Sequence, residues 1–388
     1  METIYLDNAS TSFPKAPGLG SAVAGFLERR AYNVNRGGYS GAYDVESMVY
    51  ETRKRLARLI GCPEYRRVIF TSGVTFSLNT FIQGVLRPGD HVLISSLEHN
   101  AVMRPLTRRL GEGITWDTIP ADSSGNSEAE SLKKLLRKNT RAVLVNHGSN
   151  VCGTLFPIKQ AGRFCREHDL ILAVDAAQTL GAVPLSMEEM GIDFLAFAGH
   201  KGLLGPQGVG GFAVSSRLER RLEPLTAGGT GSLSDDLNLP EFLPDRFESG
   251  TLNLPGIAGL AHSLSFLEDT TPKEIHRREI ELTIGFLSGI RKRVPAATVV
   301  GRKDTHNRVA VVSLDFPGDD NARIAFDLDR RYGIQTRVGL HCAPLAHRSL
   351  NTWPGGTVRF SFGCFNTPEE VDLCLQALEE ITSGVRDR

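Results

Sequence analysis

Between Arg67 and Ser215 the chain repeats one pattern: short apolar runs, RVIFTSG, HVLISSL, RAVLVNHGS, LILAVDAAQ, FLAFAGHK and GVGGFAVSS, several of them separated by stretches with helical spacing such as SLKKLLRKN and IKQAGRFCREH. None of these runs alternates strictly between apolar and polar residues, as a strand with one wet face must, so each reads as a strand buried on both faces. Such strands alternating with helices predict an α/β fold with a mainly parallel sheet covered on both sides. Ligands of such sheets bind beyond the carboxyl ends of the strands, where the polar residues of interest here fall.

At 388 residues the chain has room for this domain and a smaller one. The stretch AGGTGSLSDDLNLPEFLPDRFESGTLNLPG breaks the rhythm with Gly, Pro and Asp and reads as a long functional loop, followed by a helical region. From about Asn307 the pattern changes to RVAVVSLDFPG, GIQTRVGLH and GTVRFSFG, and then to a helix with Thr367 as cap, Pro368 as first residue and Glu370 as capping-box partner. We expect a large domain over residues 15–255, a smaller α+β C-terminal domain over 256–388, and an N-terminal segment, 1–14, joined to them.

Lys+Arg and Asp+Glu both number 44, so no net field favours nucleic acid or an anionic membrane, and the expected partner is a small molecule or a protein. The six cysteines, at 62, 152, 165, 342, 364 and 374, form no CxxC pair and no dense disulfide framework, which points to a reducing cytoplasm. The N-terminus, METIYLDNASTSFP, has no basic region followed by an apolar stretch. Nowhere is there a run of about 18 apolar residues, so a soluble, untargeted chain is expected.

In FAGHKGLLGPQGVGG, Lys201 follows an apolar strand and precedes a glycine-rich turn. Alone it fits an ordinary loop lysine equally well. AVDAAQ ends another strand with Asp175, and Gln178 follows three residues later. A buried carboxylate is often only a hydrogen-bond acceptor, yet Lys201 and Asp175 together match what pyridoxal phosphate needs: an amine for a Schiff base and an acid that keeps the pyridine nitrogen protonated. FTSGVTFSLNT offers a glycine turn, hydroxyls and the start of a helix, suited to a phosphate with help from Thr75, or to a plain N-cap. SLEHNAV places His99, a ring able to stack and titrate, just past a further strand end. In RVGLHCAPLAH, Cys342 reads as a buried thiol, a metal ligand or a nucleophile. His341, Cys342 and His347 supply at most three local ligands with no second cluster at zinc spacing, so no metal is expected. The polar turn, with Arg337 and His341 near in sequence, favours a thiolate nucleophile.

From YLDNASTSFPK to VRFSFGCFNTPEEV, the order of these motifs resembles the class V branch of fold-type I pyridoxal-phosphate enzymes, and within it the group II cysteine desulfurases and selenocysteine lyases. The resemblance implies a large domain with a mainly parallel seven-stranded sheet. It implies that Lys201 carries the cofactor as a Schiff base, Asp175 faces the pyridine nitrogen, Gln178 and Asn150 contact the ring oxygen, and His99 stacks on the ring. Val74, Thr75 and His200 would hold the phosphate. Thr251, in ESGTLN, would reach it from the neighbouring subunit of a homodimer. Arg359, in VRFSFG, would clamp the substrate carboxylate, a task suited to its planar fork. Asn35 and Arg36 of NVNRGG, with Arg337 and His341, would line the substrate pocket. Cys342 would take sulfur from L-cysteine, or selenium from L-selenocysteine, and pass it to an acceptor protein or small thiol. This chain departs from the pattern at Ala198, where relatives commonly carry Ser or Thr, and at Asn35, where they often carry His. A selenocysteine lyase, an aminotransferase or other lyase of the same fold, and a catalytically silent scaffold are the competing readings.

Overall fold

The computed structural model describes residues 3–35 and 37–384. After a short first strand, β1 (Ile4–Tyr5), the chain builds one seven-stranded sheet from β2 (Val68–Thr71), β3 (His91–Ser95), β4 (Thr115–Ile119), β5 (Thr140–Asn146), β6 (Ile171–Asp175), β7 (Phe194–Ala198) and β8 (Gly210–Val214), in the order 2-8-7-6-5-3-4. Successive residues of each strand enter opposite cores: Leu172, Val174, Leu195 and Phe197 pack on one side of the sheet, and Ile171, Ala173, Phe194 and Ala196 on the other. That double burial is why the runs show no polar alternation. Each fully buried aliphatic or Phe side chain contributes roughly 1.5–3 kcal/mol.

Only β8 runs against its neighbours, antiparallel to both β2 and β7. The eleven residues between Ala198 and Gly210 include four glycines and a proline and form no helix, so the chain returns directly as an antiparallel partner rather than through the helical crossover usual for a parallel one. Wedging β8 there demands glycine: a Cβ on Gly211 would lie 2.2 Å from the Ile69 carbonyl oxygen and 2.6 Å from the Phe197 ring. All the other strands point one way, so the carboxyl ends of β2, β3, β5, β6 and β7 open onto a common rim.

The C-terminal part is a four-stranded antiparallel sheet of β9 (Thr298–Val300), β10 (Val311–Asp315), β12 (Arg337–Gly339) and β13 (Thr357–Ser361), in the order 12-13-10-9. The short β11 (Ile334–Gln335) pairs in parallel with β1, and Leu6 is fully buried in this smaller core beside Phe286, Leu314 and Phe360. The N-terminal segment is therefore stitched to the end of the chain. The final helix, Pro368–Thr382, carries the expected capping box between Thr367 and Glu370. Helix Leu254–Thr270 packs into the large core through Ile257, Leu260 and Leu264, whereas helix Pro272–Arg293 enters the large core at Ile275 and the small one at Phe286 and Ile290. We propose that the two bodies divide at Thr271, where one helix stops and the next is capped, rather than after residue 255. Among the described residues no helix is long and apolar enough to cross a membrane.

Candidate active site

A cleft at the common rim is lined by Val74, Thr75, His99, Asn150, Asp175, Gln178, Ala198, His200 and Lys201. The helix Val74–Val85 starts there, capped by Gly73 with no side-chain hydrogen bond, so its first N–H groups are open to a ligand. Gly73 has φ 147°, and a Cβ on it would meet nothing within 4 Å. The free helix start and the open space beside it suit an anion. Ala198 adds only a methyl group to this cleft, so Thr75 is the hydroxyl left on that side.

Burial pushes the Lys201 ammonium down to about 8, against the pull of Asp175 and helped by Arg359 and Arg337. Burial raises the Asp175 carboxyl above its usual range, and its Oδ1 accepts from the Ala177 N–H at 2.8 Å. His99 caps the helix Asn100–Arg108: its Nδ1 accepts from the Ala101 N–H at 3.0 Å, which leaves the proton of the neutral ring on Nε2. Burial, then Lys201 and the arginines, hold that ring neutral down to about 4. His200 is likewise held to about 4, first by burial and then by Lys201 and Lys15. Gln178 donates to the Ala9 carbonyl at 3.0 Å. Asn150 donates to the His341 carbonyl at 2.8 Å, and its Oδ1 is buried without a partner.

A second group of residues adjoins the cleft. Arg359, 1% exposed on β13, donates from Nη2 to Asp7 Oδ1 at 2.6 Å and to Ser10 Oγ at 2.8 Å, and from Nη1 to the Asn150 carbonyl at 3.1 Å. Arg337, its register partner on β12, donates to Ser10 Oγ at 3.0 Å and to Cys342 Sγ at 3.5 Å. Cys342 is exposed, and its carbonyl accepts from the N–H of Asn100 at 2.7 Å, next to His99. His341 corrects the expectation of a cation beside the thiol. Its ring is buried, sits on Thr357 Oγ1 at 2.9 Å, and is pushed down to about 2 by burial, then Arg359, His347 and Arg337. The charge beside Cys342 is that of Arg337.

The class-V aminotransferase family model matches residues 4–374. The chain belongs to that family. It is similar to proteins named probable cysteine desulfurase from Methanothermobacter thermautotrophicus, 32% identical over 97% of this chain and 94% of the relative, and from Pyrococcus abyssi, 31% identical over 99% of this chain and 96% of the relative. Among solved structures it resembles the apo cysteine desulfurase of Thermococcus onnurineus NA1, with TM-score 0.92 and 30% identity over 98% of this chain and 95% of that one. It also resembles the Escherichia coli cysteine desulfurase CsdA, with TM-score 0.88 and 27% identity over the same shares.

On this class-V scaffold two expected residues lie away from the cleft within the chain. Thr251 is exposed and lines a second cleft with Ser72 and Phe76. Asn35 is exposed with φ 57°, against Gly231 of the long loop, and Arg36 lies outside the described residues. Four residues were not anticipated. Asp7 holds Arg359, and Ser10 holds both Arg359 and Arg337. Lys15 Nζ donates to the His200 carbonyl at 2.7 Å. Glu98, fully buried, accepts from Ser95 Oγ and the Asn146 N–H, and burial pushes it up to about 8. The clustered acid and hydroxyls of DNASTS, directly after a strand, were the available signal for the first two.

Proposed function

We propose that this class-V protein is a pyridoxal-phosphate-dependent cysteine desulfurase, converting L-cysteine to L-alanine and keeping the sulfur as a persulfide on Cys342. The carrying observation is that the Cys342 thiol is exposed beside Arg337 while its own carbonyl and that of His341 are bonded to Asn100 and Asn150 at the rim of the Lys201 cleft. The residues fit the cofactor. The start of Val74–Val85, with Thr75 and His200, would hold its phosphate; Lys201 would anchor it; Asp175 would face its ring nitrogen; Gln178 and Asn150, whose Oδ1 is unpartnered, would meet its edge; and His99 would cover a face. When bound, the cofactor supplies an electron sink for the substrate's Cα.

The protein's own groups do the rest. Arg359 binds the substrate carboxylate. Lys201, pushed down to about 8, is poised to take a proton from Cα and return it. Asp175, which burial makes a stronger base, would keep a proton on the cofactor's ring nitrogen. Cys342 Sγ attacks the substrate sulfur, the S–S bond forms as the C–S bond breaks, and the carbon skeleton takes up a proton and leaves as alanine. The exposed position of Cys342 suits handover of sulfur to an acceptor protein or thiol in a reducing compartment such as the cytoplasm. The reading includes a homodimer: Thr251 stands outside the Lys201 cleft of its own chain, in keeping with the family resemblance by which it would reach the phosphate of a neighbouring subunit.

The test is incubation of the cofactor-loaded protein with L-cysteine, L-selenocysteine and common amino acids, with alanine, sulfide and keto acids quantified. L-Cysteine should yield alanine, and the Cys342 peptide should gain the mass of one sulfur. Cys342→Ala should lose at least about a hundredfold in alanine release while still changing the cofactor spectrum on adding L-cysteine. Near-normal release by that variant would make the chain a lyase or aminotransferase instead.

A further inference from the structure

Ser10 stands where two arginines meet. A serine hydroxyl has one proton to give and two lone pairs. Here Oγ accepts from Arg359 at 2.8 Å and from Arg337 at 3.0 Å and donates to Asp7 Oδ1 at 2.9 Å, so its full capacity is used. Arg359 has its Nη2 on Asp7 and Ser10 and its Nη1 on the Asn150 carbonyl, while Nε is buried with no partner. Nε and Nη2 lie on the same side of a guanidinium and form one of its bidentate faces. On that face Nη2 is taken, by Asp7 and Ser10, and the buried Nε has no partner. A carboxylate arriving at the free Nε reaches bidentate geometry only by displacing Asp7 or Ser10 from Nη2. Either displacement changes what Ser10 offers Arg337, whose other end lies on Cys342 Sγ at 3.5 Å.

We propose that Asp7 and Ser10 are positioning residues: Asp7 stands in for the substrate carboxylate on Arg359 in the ligand-free protein, and Ser10 passes its replacement on to Arg337 and so to Cys342. The thiol then changes its reactivity when a carboxylate sits at the far side of the site. This rests on the reading of Arg359 as the carboxylate clamp and adds a coupling that the clamp alone does not contain. Because β1 is paired with β11 just before β12, the two ends of the chain are held together where the relay runs.

The experiment measures alkylation of Cys342 by iodoacetamide in the cofactor-loaded protein, read by mass on the peptide containing it. The conditions are no ligand, L-alanine, and L-alaninamide at the same occupancy judged by the cofactor spectrum. The two ligands are nearly equal in size, so access to the thiol is matched and only the carboxylate differs. L-Alanine should change the alkylation rate by about tenfold, the equivalent of one hydrogen bond to a charged group. L-Alaninamide should leave the rate near its ligand-free value. In Ser10→Ala the L-alanine effect should disappear although L-alanine still changes the spectrum, and Ser10→Thr, which keeps the hydroxyl, should restore it. An undiminished L-alanine effect in Ser10→Ala, or equal effects of acid and amide in the unmodified protein, overturns the proposal. If the amide binds as tightly as the acid, the clamp reading itself fails and the relay falls with it.

Discussion

Burial acts on Asp175 and Lys201 in opposite directions, raising the acid and lowering the base, while each draws the other back towards its charged form. A cationic ring nitrogen beside Asp175 would relieve its cost of burial, which ties the carboxylate's function to its charge rather than its shape. Asp175→Asn keeps the shape and removes the charge. We expect it to keep the fold and lose about a hundredfold in alanine release, the scale on which a preorganised electrostatic contact acts; steady-state assays at saturating cofactor measure it. A loss below tenfold would remove Asp175 from that role. That Lys201, Asp175 and His99 line one cleft was legible in the sequence because each lies at or a few residues past a strand end, a position that pattern reveals. Asp7 and Ser10 were not, because their partners, Arg337 and Arg359, lie more than 300 residues away and are reached only by tertiary pairing, of β1 with β11 and of Asp7 with Ser361 on β13. Adjacency to Cys342 suggests a cation at His341, but the ring there is buried and neutral. Both residues have left-handed backbone, φ 48° and 57°, and this turn buries one side chain while exposing the other.

Among the elements, the helix Val74–Val85 contributes through its first turn. Gly73 is at φ 147°, ψ −175°, a region open to glycine and strained for any other residue by about 1–3 kcal/mol. Gly73→Ala should lower the melting temperature and, by setting a methyl group in the open space beside the free N–H groups, weaken cofactor binding by at least about tenfold in a spectral titration, a penalty of about 1.4 kcal/mol. Gly20→Ala, on helix Leu19–Arg29 with nothing within 4 Å of the added carbon, is the control. It should be neutral or stabilising, since alanine is the better helix former by up to about 1 kcal/mol. Equal cofactor affinity in both variants would argue against a phosphate at this helix start. The strands of the sheet were readable because their two-sided burial is written in composition. The direction of β8 was not: it is set by a short connection and by glycine clearances that exist only between packed strands.

At the scale of the whole molecule, stability should peak in mildly acidic solution, because two sets of buried groups pull in opposite senses. His99, His147, His200 and His347 are held to about 4 and His341 to about 2, burial being the first cause each time, against an ordinary 6.5. The unfolded chain therefore binds these protons first, and stability falls as pH drops from 6.5 towards 4. Glu98 and, at the edge of a pocket, the only half-buried Glu279 are both raised by burial from 4.5 to about 8, the shift of Glu279 being the more exposed to solvent screening, and Asp175 is raised as well. These carboxyls keep protons that the unfolded chain has lost, so what they contribute is present in full below the unfolded value and drains away as pH rises towards 8. The cofactor-free protein should thus melt highest near pH 6.5 and lower at about pH 5 and about pH 8, by about 2 °C for each kcal/mol. Glu98→Gln separates the two arms. The amide keeps a neutral group among Ser95, Asn146 and Asp175, so it should raise the melting temperature at pH 8 and leave the acid limb, which belongs to the histidines, in place. A melting temperature that climbs steadily from pH 5 to pH 8, with no gain from Glu98→Gln, would mean that Glu98 is ionised beneath the site, its carboxylate unpartnered at Oε2 and repelled by Asp175.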